Sequence, residues 1–115
     1  MITDKLKEYL IAEVKDKIAA GQLGYGGNST NPAGTTLDVP SGVTISGANL
    51  VEELSDYNVL EVKLSIAGSE IQGKVIREMG LFDSGGILLA RENFDGVGPF
   101  STAETLEIFY IIEVE

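Results

Sequence analysis

The chain has 115 residues, of which 43% are hydrophobic and 23% are charged, and this composition predicts one folded domain. With 18 acidic and 8 basic residues the net charge is −10, which disfavours binding to nucleic acid or to anionic membranes. Cysteine and histidine are both absent, which removes the commonest nucleophile, general base and metal ligands. We therefore predict a protein that is not an enzyme and has no cofactor or metal.

Residues 1–21 predict an N-terminal helix. Thr3 is a capping residue, and Gly21 is placed where a helix commonly ends. An apolar stripe recurs every four residues, which indicates one buried face. Either this face packs on the protein's own sheet or it packs on copies or neighbours, and its members are candidate interface residues: Leu6, Leu10, Val14 and Ile18. The segment is too charged for a signal peptide, so we expect the protein to be made and kept in the cytosol unless assembly carries it out.

Residues 22–36 are rich in glycine, serine and threonine and predict a long loop. Loops of this length usually have a function in contacts, so this one is a candidate interaction element that includes Tyr25. It lacks the Lys-Ser/Thr ending of a phosphate-binding loop and is not placed between a strand and a helix, which disfavours nucleotide binding.

Residues 37–115 predict an antiparallel β domain, because the hydrophobic period changes to two. Apolar residues alternate with polar ones in 58–68, and further strands are predicted at 36–46, 50–54, 73–82, 86–93 and 105–115, with turns at 55–58, 83–86 and 93–99. The last strand is apolar on both faces, because Phe109 and Ile111 alternate with the inward-facing residues. It should be central in its sheet or covered by a partner. The predicted fold class is α+β, with an N-terminal helix followed by an antiparallel β-sheet or small β-sandwich.

The segment 76–94 contains most of the remaining residues that predict a turn, a close packing contact or an ion pair. Asp83 begins a turn that ends at Gly86, and Gly80 inside a strand predicts a close approach by another group. Arg77 and Glu78 are adjacent and should point to opposite faces. We expect Arg77 to pair with an acidic residue, such as a C-terminal glutamate, and to fix the strand register.

Two chemical interpretations of the same segment are less favoured. Glu78 and Asp83 would need a deep cleft to act as a general acid and base, and a chain of this size with a flat β pattern leaves little room for one. Asp83 and Asp95 offer hard oxygen ligands for calcium, but no segment has the alternating acidic spacing of a calcium loop.

The segment "VIREMGLFDSGGILLAREN" resembles a motif found near the N-terminal ends of tail-fibre and tail-collar fibre proteins of tailed phages. The matching residues are Arg77, Glu78, Gly80, Leu81, Phe82, Asp83, Gly86, Leu88 and Ala90, with Met79 where isoleucine is more usual. An upstream segment is similar to the same family at Gly24, Gly26, Pro32, Thr36 and Leu37. The N-terminal helix departs from a common family arrangement, in which the fold begins with strands.

This resemblance implies a bacteriophage structural protein, assembled in the host cytoplasm and located in the virion tail. It would attach a tail fibre or form its base, with other tail or baseplate proteins as partners and a homotrimer as the favoured oligomer. Fibres of the family continue into a shaft and a receptor-binding tip, so an attachment role is expected here rather than receptor recognition. The alternative is a small carbohydrate- or ligand-binding module that uses the 22–36 loop and Tyr25.

Overall fold

The computed structural model describes residues 1–71 and 73–115. These residues form one α-helix, α1 (Asp4–Lys17), two 3-10 turns (Gly47–Asn49 and Gly68–Glu70) and seven strands: β1 (Ala20–Gly24), β2 (Pro40–Ile45), β3 (Leu50–Asp56), β4 (Val59–Ala67), β5 (Ile76–Phe82), β6 (Leu88–Val97) and β7 (Thr105–Glu113). Within the described ranges, no helix is long and apolar enough to cross a membrane.

The strands form two antiparallel sheets, which confirms the predicted α+β class. One sheet has the order β2-β1-β5-β6 and the other has the order β3-β4-β7. The core cluster takes side chains from both sheets and from the helix. β4 shows the predicted alternation most clearly, because Leu60, Val62, Leu64 and Ile66 are all at most 4% exposed.

The helix begins as predicted and ends earlier than predicted. The Thr3 hydroxyl accepts a hydrogen bond from the Leu6 N–H at 3.4 Å. The C-cap residue, Ile18, already has an extended backbone, and the Ala19 N–H donates to the Phe82 carbonyl at 2.8 Å. The predicted end near Gly21 is therefore wrong, because the chain enters the sheet before that point and Gly21 lies in β1.

Of the two packings left open for the helix, the structure has the helix on its own sheet. Ile11 is buried in the core, and Val14 and Ile18 pack in the same cluster. Ile18 is buried and Val14 is half-buried against the protein's own core, and their role in an interface stays a prediction. Leu6 and Leu10 are more than 40% exposed, so their role in an interface stays a prediction.

Strand β1 was not predicted and shortens the long loop. Its sequence, AGQLG, contains two glycines and was assigned partly to the helix and partly to the loop. β1 nevertheless pairs with β2 on one side and with β5 on the other, so the irregular loop starts at Tyr25 rather than at residue 22. The turn predicted at 93–99 is also wrong in its first half, because β6 extends to Val97.

Strand β7 has the predicted faces but a different place in its sheet. Ile108, Tyr110 and Ile112 pack against the core, whereas Phe109 and Ile111 are exposed. β7 pairs with β4 alone and lies at the edge of the three-stranded sheet. A central position was therefore the wrong prediction, and cover by a partner stays a prediction.

Candidate functional site: the loop held by Glu78

Residues from both segments that carry the resemblance meet on the outer face of the four-stranded sheet: Gly24, Gly26, Leu37, Glu78 and Gly80. Met79 and Leu81 of β5 point into the core, so the alternation of the strand places Glu78 and Gly80 on the opposite face. Gly24 of β1 lies directly beside Glu78 in the register of the two strands. The loop 25–39 covers this face.

Glu78 is fully buried, and its carboxylate holds both ends of the loop. Oε2 accepts hydrogen bonds from the N–H groups of Gly26 at 2.8 Å, Gly27 at 3.2 Å and Val39 at 3.0 Å. Oε1 accepts from the Asp38 N–H at 2.8 Å. An ionised carboxylate only accepts hydrogen bonds, so four convergent backbone donors suit it well. One side chain thus joins residues 26–27 to residues 38–39.

Asp38 fixes the next part of the loop. Its Oδ2 accepts hydrogen bonds from the N–H groups of Asn28 at 2.5 Å and Ser29 at 2.6 Å. Bonds from the Ser29 and Asn28 amides hold the pKa of the Asp38 carboxyl below its usual range, and the nearby charge of Arg91 acts in the same direction. The carboxylate therefore stays ionised while it orders the turn.

Two side chains from β6 bind the tip of the loop. Arg91 donates from Nη1 to the Thr36 carbonyl at 3.0 Å, and from Nη2 to the Asn31 carbonyl at 2.9 Å and the Ser29 hydroxyl at 3.2 Å. Asn93 donates from Nδ2 to the Ser29 carbonyl at 2.7 Å. Three of these four bonds go to carbonyl groups of the loop backbone, so they set the shape of the loop.

Glycines allow the loop and the sheet to approach this closely. An ideal Cβ on Gly24 would lie 2.6 Å from Cγ of Glu78, and one on Gly26 would lie 2.8 Å from its Oε2. Gly80 shows the predicted close approach, because a Cβ there would lie 2.9 Å from a Leu37 methyl carbon. The buried carboxylate and the glycines around it form one packed unit.

The predicted turn after β5 is confirmed. Asp83 Oδ1 accepts hydrogen bonds from the N–H groups of Gly85 and Ile87, both at 2.9 Å. Gly86 has a φ of +81°, which favours glycine. Asp83 is therefore occupied with its own turn, and Glu78 is occupied with the loop.

Arg77 does not form the predicted ion pair. Its side chain is exposed, and Nη1 donates to the Asp95 carbonyl at 3.3 Å. No carboxylate lies within salt-bridge distance of it among the described residues. The predicted role of Arg77 in fixing the register is wrong, because the C-terminal strand β7 with its glutamates lies in the other sheet.

Tyr25 is half-buried against the core, with the Lys74 ammonium 5.8 Å from its ring centre. It therefore packs within the fold as well as lying at the start of the loop. Beside the loop tip, an open cleft of about 490 Å³ lies between residues 29–34 and β6. Within residues 1–71 and 73–115, no group of three or more acidic side chains could hold a metal ion.

The sequence analysis did not predict the roles of Asp38, Arg91 and Asn93. A signal for two of them was present, because Arg91 and Asn93 are two residues apart in a strand and must share a face. In the register they lie beside Gly80 and Glu78, under the loop. Asp38 offers no comparable pattern in the sequence.

In comparisons with known proteins, this sequence matches no protein-family model and no curated protein.

Proposed function

We propose that the protein is a structural component of the virion of a tailed virus. In this role it belongs to the tail or baseplate, attaches a tail fibre or forms its base, and acts through contacts rather than catalysis.

One observation carries this proposal: the two separated segments that resemble tail-fibre proteins are in contact. Gly24 and Gly26 from the upstream segment enclose the carboxylate of Glu78, and Leu37 packs on Gly80. If the two segments matched the family only by chance, their matching residues would not be expected to contact each other. The motif residues therefore hold a long loop on a sheet. This arrangement suits a protein that presents a fixed surface to its neighbours.

The state of the two motif carboxylates also favours a structural role. Glu78 is buried with both oxygens bonded to backbone N–H groups, and Asp83 accepts two bonds within its turn. Because Glu78 is fully buried, it lacks the access to a substrate that a general acid or base needs.

The proposal is tested by locating the protein on virus particles. Gold-labelled antibodies against the purified chain should mark the tail tip of particles produced by the host that carries the gene. Deletion of the gene should give particles with tails but without attached fibres. Particles that carry no label, or a deletion that leaves the fibres in place, would contradict the proposal.

Light scattering over a range of concentrations tests the expected trimer. A species of three times the chain mass of 12.2 kDa would support it. A monomer at all concentrations would mean either that the chain assembles only on the virion or that it is a binding module.

A second function, the carbohydrate- or ligand-binding module, is favoured by the cleft of about 490 Å³ beside the loop tip. Soluble glycans that shift the amide signals of residues 29–34 would support it. Absence of any shift at high glycan concentration would contradict it.

A further inference from the structure

The free edge of β7 is the feature of the fold that the loop and its motif leave unexplained. β7 pairs with β4 without interruption from Thr105 to Glu113, and no strand in the described residues pairs with its other side. Alternate N–H and C=O groups along this side point away from β4. Such a row of unpaired groups is a template for another strand.

The other three edge strands carry features that discourage pairing. β2 begins with Pro40, which has no N–H to donate. β3 has a bulge between Leu54 and Asp56. β6 has register shifts against β5 between Ile76 and Glu78 and between Leu81 and Phe82. β7 has none of these features: its sequence, TLEIFYIIE, lacks proline, glycine and lysine, and its register with β4 shows no bulge.

The outer side chains of β7 are apolar and exposed. Phe109 is 55% exposed and Ile111 is 62% exposed. Across the sheet, Phe109 lies beside Lys63 and then Val51, which is also exposed. A cleft of about 530 Å³ lies between β7 and residues 91–92 of β6, which leaves room beside the edge for an extended chain.

The surroundings of this edge are acidic. Glu107 and Glu113 lie on the outer face of β7, and Glu61 and Glu53 follow Ile111 across the sheet. Two basic side chains lie nearby: Lys63 is already 3.9 Å from a Glu107 oxygen, and Arg91, which lines the cleft, donates its hydrogen bonds to the loop. A second copy of β7 would bring the same carboxylates within the screening distance of about 8 Å at physiological salt, so a basic partner fits better than self-pairing.

We propose that the free edge of β7 binds an extended segment of a basic protein partner. The segment adds a strand to the three-stranded sheet, places apolar side chains on Phe109 and Ile111, and places lysine or arginine against the surrounding glutamates. This inference depends on the β7 edge alone and does not require the proposed place in a tail.

The test uses a fluorescent synthetic peptide with the 9-residue length of β7, in which lysine, valine, valine and lysine occupy alternate positions and threonine fills the others, so that lysines and valines share one face of the added strand. Binding to the full chain is measured by fluorescence anisotropy, and the site is mapped by amide hydrogen exchange. We expect saturable binding, with slower exchange at alternate amides of β7. Replacing the peptide's lysines by glutamates should weaken binding at least about tenfold, and methylating alternate backbone nitrogens should abolish it.

Two matched variants of the protein complete the test. Ile111 and Ile87 are both 62% exposed, but Ile87 lies next to the Asp83 turn, away from β7. Ile111→Lys should weaken peptide binding at least about tenfold, and Ile87→Lys should change it less than about twofold.

Four results would overturn the inference: no binding at millimolar peptide, equal binding to both variants, protection outside β7, or binding that survives methylation. Formation of a dimer through β7 in the absence of peptide would also overturn it, because the occupant would then be a second copy.

Discussion

Replacing Glu78 by glutamine tests whether the buried carboxylate holds the loop. An amide oxygen in the place of Oε2 keeps the bonds from Gly26, Gly27 and Val39. The amide nitrogen then takes the place of Oε1 and points a donor at the Asp38 N–H, which currently donates to that oxygen at 2.8 Å. Donor meets donor, and the Asp38 N–H loses its partner.

The size of the effect follows from these contacts. An unsatisfied buried N–H costs about 1–3 kcal/mol. The three remaining bonds lose the negative charge of the acceptor and with it about half of their strength. A neutral amide costs less to bury than a carboxylate, which offsets part of the loss. We expect the free energy of unfolding to fall by about 2–4 kcal/mol, which lowers Tm by roughly 8–16 °C in a chain of this length.

Urea unfolding followed by circular dichroism measures the loss, and amide hydrogen exchange under native conditions locates it. Exchange should become faster at residues 26–27 and 38–39 than in β4. The matched control is Glu92→Gln, at an exposed glutamate on β6, which should stay within about 0.5 kcal/mol of the parent protein. A Glu78→Gln protein as stable as this control, or one whose exchange rises equally in β4, would refute the reasoning.

Three further predictions concern the loop, its neighbour in β1 and the turn after β5. Gly24→Ala should cost about 1–3 kcal/mol in urea unfolding, because the new methyl would meet Glu78. Gly86→Ala, at a φ of +81°, should cost about 1–2 kcal/mol by the same measurement. The pKa of Asp38 is lowered from 3.8, so its stabilisation is present above that value and is lost as pH falls through the lower folded pKa. Amide hydrogen exchange at residues 28–29 should therefore become faster as pH falls below about 3.8, and the Asp38→Asn variant should not show this pH dependence.

The elements that were predicted correctly are those that depend on residues close together in the sequence. The alternation in β4 and the Thr3 cap each depend on residues a few positions apart, and both are confirmed. β1 was missed because its glycines are explained only by distant neighbours. Gly21 makes room for Leu64 on one face of the strand, and Gly24 makes room for Glu78 on the other.

The candidate site was predicted in part for the same reason. The alternation of β5 was enough to put Arg77 and Glu78 on opposite faces, but not to say which one is buried. The burial of Glu78 depends on N–H groups from residues 26–27 and 38–39, about 40–50 positions away in the chain.

In β7, apolar side chains on both faces indicated cover on both sides, and that pattern is shared by a central strand and an edge strand that binds a partner.

A single carboxylate in this position has a consequence for the kind of function the loop can serve. The N–H groups of residues 26–27 and 38–39 donate to the Glu78 carboxylate rather than to a neighbouring strand. One buried side chain therefore accepts the hydrogen bonds that a strand would accept in a sheet. Arg91 and Asn93 then hold the segment between these ends by its carbonyl groups. A loop fixed at its ends and its tip has little freedom to close over a small ligand. It instead presents a constant shape to its surroundings.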